Sequence, residues 1–138
     1  MTITYKTGNH LDLDQVIDLY IDSTLGERRP VDDRDRMRFM LANANLVITA
    51  WDGDLLVGIS RSMTDFVYAT YLSDLAVRLS YQKKGIGKEL IRRTQQACGP
   101  ETSLILLSAP KAVDYYPRIG MPRHEAAFWL PSGQKLPE

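Results

Sequence analysis

The chain has 138 residues, 44% of them hydrophobic and 25% charged, and its 17 Lys and Arg balance 17 Asp and Glu. That length suits one domain over residues 1–138, burying roughly two-thirds of its unfolded surface, while the balanced charge excludes global steering onto nucleic acid or an anionic membrane. The one cysteine, Cys98, excludes an internal disulfide framework, and neither a membrane-length apolar run nor a signal peptide is present, so a cytoplasmic protein is expected.

Ile3 to Lys6 alternates apolar and polar side chains, predicting a short strand closed by Gly8-Asn9. Asp12 or Asp14 then caps a helix over Val16, Ile17, Leu19 and Tyr20, which stops near Gly26. After the charged loop Gly26-Glu27-Arg28-Arg29-Pro30, Asp32 or Asp33 begins a second helix with Met37, Met40 and Leu41 on one face. Leu46 to Trp51 and Leu55 to Met63 read as a hairpin around Asp52-Gly53. Tyr68 to Val77 is a further strand. It breaks at Ser80-Tyr81 and passes through Gln82-Lys83-Lys84-Gly85-Ile86-Gly87 into a helix with Ile86, Leu90, Ile91 and Thr94 on one face. Gly99-Pro100 stops it. Ser103 to Leu107 suits a buried strand, Pro110 opens a short helix over Lys111 to Tyr116 ended by Pro117 and Gly120, and Glu125 to Leu130 reads as a last strand. Residues 131–138 are expected to be a flexible tail. The order β-α-α-β-β-β-α-β-α-β, without repeats or linkers, implies an α/β fold on a mixed sheet.

The strand-to-helix turn carries the chemistry. Two glycines let backbone approach a ligand, the first N–H groups of the helix face outward at the positive end of its dipole, and Lys83, Lys84 and Lys88 crowd the same turn. Together these predict an anion site, the anion being a phosphate group. A dinucleotide fingerprint fails because Leu90 stands where its third glycine belongs. A P-loop fails because one residue separates the glycines and Glu89 follows Lys88.

What is left is Q-x-x-G-x-G behind Leu75-Ala76-Val77, which resembles the acetyl-CoA signature of the GNAT acyltransferase superfamily. A second segment, Ala112-Val113-Asp114-Tyr115-Tyr116-Pro117-Arg118-Ile119-Gly120-Met121, resembles that family's A-x-x-F-Y-x-x-x-G-F, with Tyr116 on its tyrosine and Gly120 on its glycine. The resemblance runs from Ile3 to Leu130 and implies acetyl-CoA as cosubstrate, its pyrophosphate on Gln82, Lys83, Lys84, Gly85, Ile86, Gly87 and Lys88, in the gap between the fourth and fifth strands. It also implies backbone contacts from Leu75, Ala76 and Val77, an N-acetyltransferase activity, and Tyr116 as proton donor to the departing thiolate. No metal is called for.

In direct acyl transfer the attacking amine must be neutral, so a base or a water chain takes its proton. Backbone N–H groups of Leu75–Val77 are placed to stabilise an oxyanion. Several family members carry a glutamate near Ser73; here the proton leaves through water held by Ser73 or Asp74, although alternation puts Asp74 on the face opposite Ser73. Glu27, His124 and Glu125 are outside candidates. Two further departures concern the pantetheine arm: Ala109 stands near a usual asparagine, leaving Ser108 or backbone in its place, and Leu79 replaces a usual proline. No Cys or Ser stands in a nucleophile setting, so transfer is direct.

The expected acceptor is a small-molecule amine, met by Tyr20, Glu27, Arg28, Arg29, Phe128 and Trp129, with the arginines free to pair a carboxylate or to stand as surface charges. The alternatives are a protein lysine or N-terminus, and a non-catalytic acyl-CoA sensor. A homodimer through the last strand or Trp129 is a further expectation.

Overall fold

The computed structural model describes residues 2–138. They form two compact units, one extending to Leu107 and the other Ser108–Glu138.

The first unit is built on a five-stranded sheet of β1 (Thr4–Thr7), β2 (Leu46–Asp52), β3 (Leu55–Thr64), β4 (Ala69–Val77) and β5 (Ser103–Ile105), in that spatial order. The first three pairings are antiparallel and the last is parallel. Gly53, at φ +60°, closes the β2–β3 hairpin where Asp52-Gly53 announced it. Helices α1 (Leu13–Asp22) and α2 (Arg34–Ala42) lie on one face. Each begins at an aspartate whose side chain takes an orphan amide: Asp12 accepts from Asp14 N, and Asp33 from Arg36 N. Their buried Val16, Leu19, Tyr20, Met37 and Leu41 meet Val47, Leu56, Ile59 and Ala76. Helix α3 (Ile86–Cys98) covers the other face, with Ile86, Leu90 and Cys98 against Leu46, Ile48, Ala50 and Val57.

Gly58 sets how close α3 comes. A Cβ there would stand 3.1 Å from Leu90 Cδ1 and 3.3 Å from both Ala50 Cβ and Ile86 Cγ2. The absence of a side chain on β3 therefore seats the first turns of α3 directly on the sheet.

Two expectations about strands are corrected. The apolar run from Ser103 was read as a buried strand to Leu107, but β5 ends at Ile105, and Ile105 and Leu107 are both half exposed. Its ladder with β4 holds only Ala69–Tyr71 against Ser103–Ile105, so hydrophobicity here marks one partly covered edge.

In the second unit Pro110 opens a 3-10 turn, Pro110–Ala112, followed by α4 (Tyr115–Arg118). Pro117 lies inside α4 instead of ending it, because in a first helical turn its missing N–H has no intrahelical partner to lose. Gly120, at φ +103°, does end it. The last strand expected over Glu125 to Leu130 is not formed: Ala126 N donates to His124 Nδ1, making a turn, and 127–130 are irregular and exposed. Prolines at 122 and 131 bracket this stretch, and Ala126-Ala127 breaks its alternation, so few residues are left with strand preference.

Candidate active site

The turn before α3 is braced from three sides. Beyond β4 the chain makes a 3-10 turn, Leu79–Tyr81. Asp22, at the end of α1, accepts from Leu79 N at 2.9 Å. Tyr81 Oη donates to Asp52 Oδ2 at 2.5 Å, reaching the β2–β3 hairpin. Gln82 Nε2 donates to Val77 O at 2.9 Å, closing the turn on its own strand. Arg78 holds the strand end, with Nε on Leu56 O and Nη2 on Asp18 Oδ2. The sequence pointed to Gln82 for this turn; its side chain is a brace.

The helix then starts without a side-chain cap. Gly85 is the N-cap residue at φ +85°, Lys83 is also left-handed at φ +63°, and no side chain accepts from the first amides of α3. A Cβ at Gly85 would meet nothing within 4 Å, so the space over the turn is open. Lys83, Lys84 and Lys88 are exposed, and among the described residues none of them pairs with a carboxylate. Uncapped amides, an aligned helix dipole and unpaired cations are features that favour an anion. These features fit a pyrophosphate.

Between Tyr71 and the turn, β4 keeps β3 on one side, with Leu75 opposite Ser60, Ala76 opposite Ile59 and Val77 opposite Gly58. On its other side the ladder to β5 ends at Tyr71. Leu72–Val77 thus offers an edge with no strand partner among the described residues, leading straight into the turn before α3. A β-bulge interrupts this segment: Leu72 pairs with Ser62 and Asp74 with Arg61, leaving Ser73 as the extra residue.

Asp74 is fully buried and held from four directions. Its Oδ1 accepts from Arg29 Nε at 2.6 Å and Ser73 Oγ at 3.2 Å; its Oδ2 accepts from Arg61 Nε at 2.5 Å and Tyr20 Oη at 2.6 Å. Burial pushes the Asp74 pKa up, but the hydrogen bond and charge of Arg61, with Tyr20 and Arg29, outweigh it, and the net shift is downward. Burial, then the Asp74 charge, raises the Tyr20 phenol well above its ordinary value. A carboxylate stabilised in this way is a weak base. Arg29, read from sequence as open to a substrate carboxylate, is committed: beyond Asp74 it donates through Nη2 to Ser73 O and through Nη1 to Arg28 O.

Arg61 was not singled out from the sequence. One signal was there: an arginine inside the apolar Leu55–Met63 and an aspartate inside the next strand are two charges that can be buried only together. Glu27 and Arg28 are exposed on the 3-10 turn Leu25–Arg28. The other predicted residues, Ser108 and Tyr116, belong to the second unit. There Ser108 is half buried before the 3-10 turn, and Tyr116, on α4, meets Tyr115 edge to face with ring centroids 5.2 Å apart. His124 and Glu125 are exposed, the histidine bonded to Ala126 N.

A family model described as an acetyltransferase (GNAT) domain matches residues 27–128, most of the chain. The chain belongs to the GNAT acetyltransferase family. No curated protein of similar sequence is found. Solved GNAT structures share the fold. A GNAT family acetyltransferase from Streptococcus pneumoniae TIGR4 is 24% identical with a TM-score of 0.72, over 95% of this chain and 99% of that one. An aminoglycoside N-acetyltransferase in complex with CoA is 15% identical with a TM-score of 0.73, over 96% of each chain. An aminoglycoside acetyltransferase from an uncultured soil metagenomic sample, in complex with sisomicin, is 22% identical with a TM-score of 0.73, over 96% and 97%. As a GNAT enzyme this protein is an acetyl-CoA-dependent N-acetyltransferase.

Proposed function

We propose that this GNAT enzyme acetylates the primary amine of a small molecule, with the pyrophosphate of acetyl-CoA held at the start of α3. The uncapped N-terminus of α3 behind Gly85, beside three lysines that pair with no carboxylate among the described residues, is the observation that carries the reading. Backbone amides of the turn and of Ile86, Gly87 and Lys88 hold the anion, with Lys83 and Lys84 adding charge. The open edge of Leu75–Val77 takes an extended amide-bearing chain, as an exposed strand edge does. Acetyl-CoA, when bound, supplies the acetyl group already activated as a thioester.

The acceptor amine must lose a proton to attack, and Asp74 is poorly suited to take it. Water at Ser73 is the route we assign to that proton. Tyr116 Oη gives a proton to the departing sulfur, an assignment that rests on the match of residues 112–121. The aminoglycoside acetyltransferases among the structural neighbours act on small amines, which supports the acceptor class.

Calorimetry with CoA and acetyl-CoA tests the binding site, and thiol release against amino acids, polyamines, arylalkylamines, aminoglycosides and peptides tests the acceptor. Expected are saturable CoA binding and turnover with a non-peptide amine; turnover confined to peptides overturns the acceptor class. Tyr116→Phe should lower kcat about a hundredfold, in the range of general acid catalysis, while CoA affinity stays unchanged. Equal loss of both overturns the acid role.

A further inference from the structure

The buried cluster around Asp74 joins every element on its side of the sheet. Tyr20 comes from α1, Arg29 from the loop between α1 and α2, Arg61 from β3, and Ser73 and Asp74 from β4. Arg61 also reaches Met40 O in α2 through Nη1, and Ser73 Oγ through Nη2 at 3.0 Å. Arg29 Nη2 binds Ser73 O at 2.8 Å. The bulged residue is therefore held by two guanidinium groups, one on its hydroxyl and one on its carbonyl, and a single carboxylate fixes both.

Stability alone does not explain where the cluster sits. Buried ion pairs are weak stabilisers compared with well-packed apolar groups, and this one surrounds the single irregular residue of β4, on the strand whose edge is open. A bulge re-aims a strand and is adjustable unless something fixes it. Arg29 carries that fixation into the loop that displays Glu27 and Arg28 to solvent.

We infer that Arg29, Arg61 and Tyr20, gathered on Asp74, are positioning residues for acyl transfer: they lock the bulge at Ser73 to the α1–α2 loop, so that the strand edge facing the acyl group and the loop facing the acceptor keep one fixed relation. The inference rests on acetyl-CoA lying along β4. Asp74 serves in it as an anchor and takes no proton from the amine. Misplacement of about 1 Å between reacting groups lowers rates roughly a hundredfold, so the network acts on kcat.

The test uses the full chain with Arg29→Lys and Tyr20→Phe, and Arg34→Lys in the exposed Arg34–Asp14 pair as control. Lysine keeps the charge of Arg29 but cannot bridge Asp74, Ser73 O and Arg28 O together. Each variant is measured for thermal midpoint, CoA affinity by calorimetry, and kcat, KM and pH profile with the amine that the wild type turns over fastest. Arg29→Lys should lower kcat roughly ten- to hundredfold with CoA affinity and the KM for acetyl-CoA within twofold of wild type, and Arg34→Lys should change nothing. Should Arg29→Lys fail to fold, Tyr20→Phe, which removes only the hydroxyl that donates to Asp74 Oδ2, carries the same expectation.

The pH profile separates anchor from base. Tyr20 holds the Asp74 pKa down, so Tyr20→Phe moves the acidic limb of kcat/KM upward if Asp74 is the base and leaves it in place if Asp74 is an anchor. A shifted limb, a wild-type kcat in folded Arg29→Lys, or a loss of CoA affinity in step with kcat overturns the inference while the wild-type activity stands. A wild type that binds no acetyl-CoA, or acetylates no amine, overturns the proposed function and this inference with it.

Discussion

Gly85 combines a left-handed backbone with open space. Substitution by alanine meets no neighbour, so its effect is conformational: a residue with a Cβ in the left-handed region costs about 1–2 kcal/mol. Gly85→Ala is expected to lower the thermal midpoint by roughly 5 °C, as such a cost does in a chain of this size, and to weaken CoA binding several-fold by tilting the first amides of α3. Gly58→Ala differs in kind, because its Cβ would press on Leu90 and Ile86. It should destabilise the fold by about 1–3 kcal/mol, the range of overpacking, as measured by urea unfolding. The sequence marked Gly85 through its motif and gave no mark to Gly58, whose contacts come from another strand and a helix.

At the scale of elements, α3 carries the proposed coenzyme site through its N-terminus and its surrounding charge. Replacing Lys83, Lys84 and Lys88 together by glutamine removes exposed charges of about 0.2–1 kcal/mol each. CoA affinity should fall about tenfold at low salt, and the difference from wild type should shrink as ionic strength rises, since exposed charges are screened over about 8 Å at 0.15 M. Calorimetry at two salt concentrations measures both. Helix α3 was legible because Ile86, Leu90, Ile91 and Thr94 repeat with helical spacing and are indeed its buried face. Glu125 to Leu130 was not: a strand exists by pairing, and pairing is not a property of its own residues. The bulge at Ser73 was hidden for the same reason, since it is a mismatch between β3 and β4.

For the whole molecule, the Asp74 cluster sets how stability depends on pH. The folded pKa of Asp74 is lowered, so its contribution is present above the unfolded aspartate value of about 4 and is lost as pH falls through the folded value. The folded pKa of Tyr20 is raised, so its contribution is complete below the unfolded tyrosine value of about 10 and is lost as pH rises through the folded value. Urea midpoints should therefore lose this cluster's support in acid and in strong alkali. Asp74→Ala leaves Arg61 and Arg29 facing one another without a counter-charge and is expected to cost about 3–5 kcal/mol, as breaking a buried pair does. That is a large share of the 5–15 kcal/mol typical of a domain.

The sequence by itself determined the helices, the hairpin, the order of elements as far as α4 and the glycine-bearing turn before α3, because each follows from local preference: periodicity, caps, and glycines adjacent along the chain. Only the tertiary structure decided which charges meet. Tyr20, Arg29, Arg61 and Asp74 come from four separate segments, and the sheet register brings them within hydrogen-bonding reach. From its position in the chain Asp74 stood as one of two residues to hold water for the amine's proton; three donors from elsewhere in the fold fill its oxygens and make it a weak base.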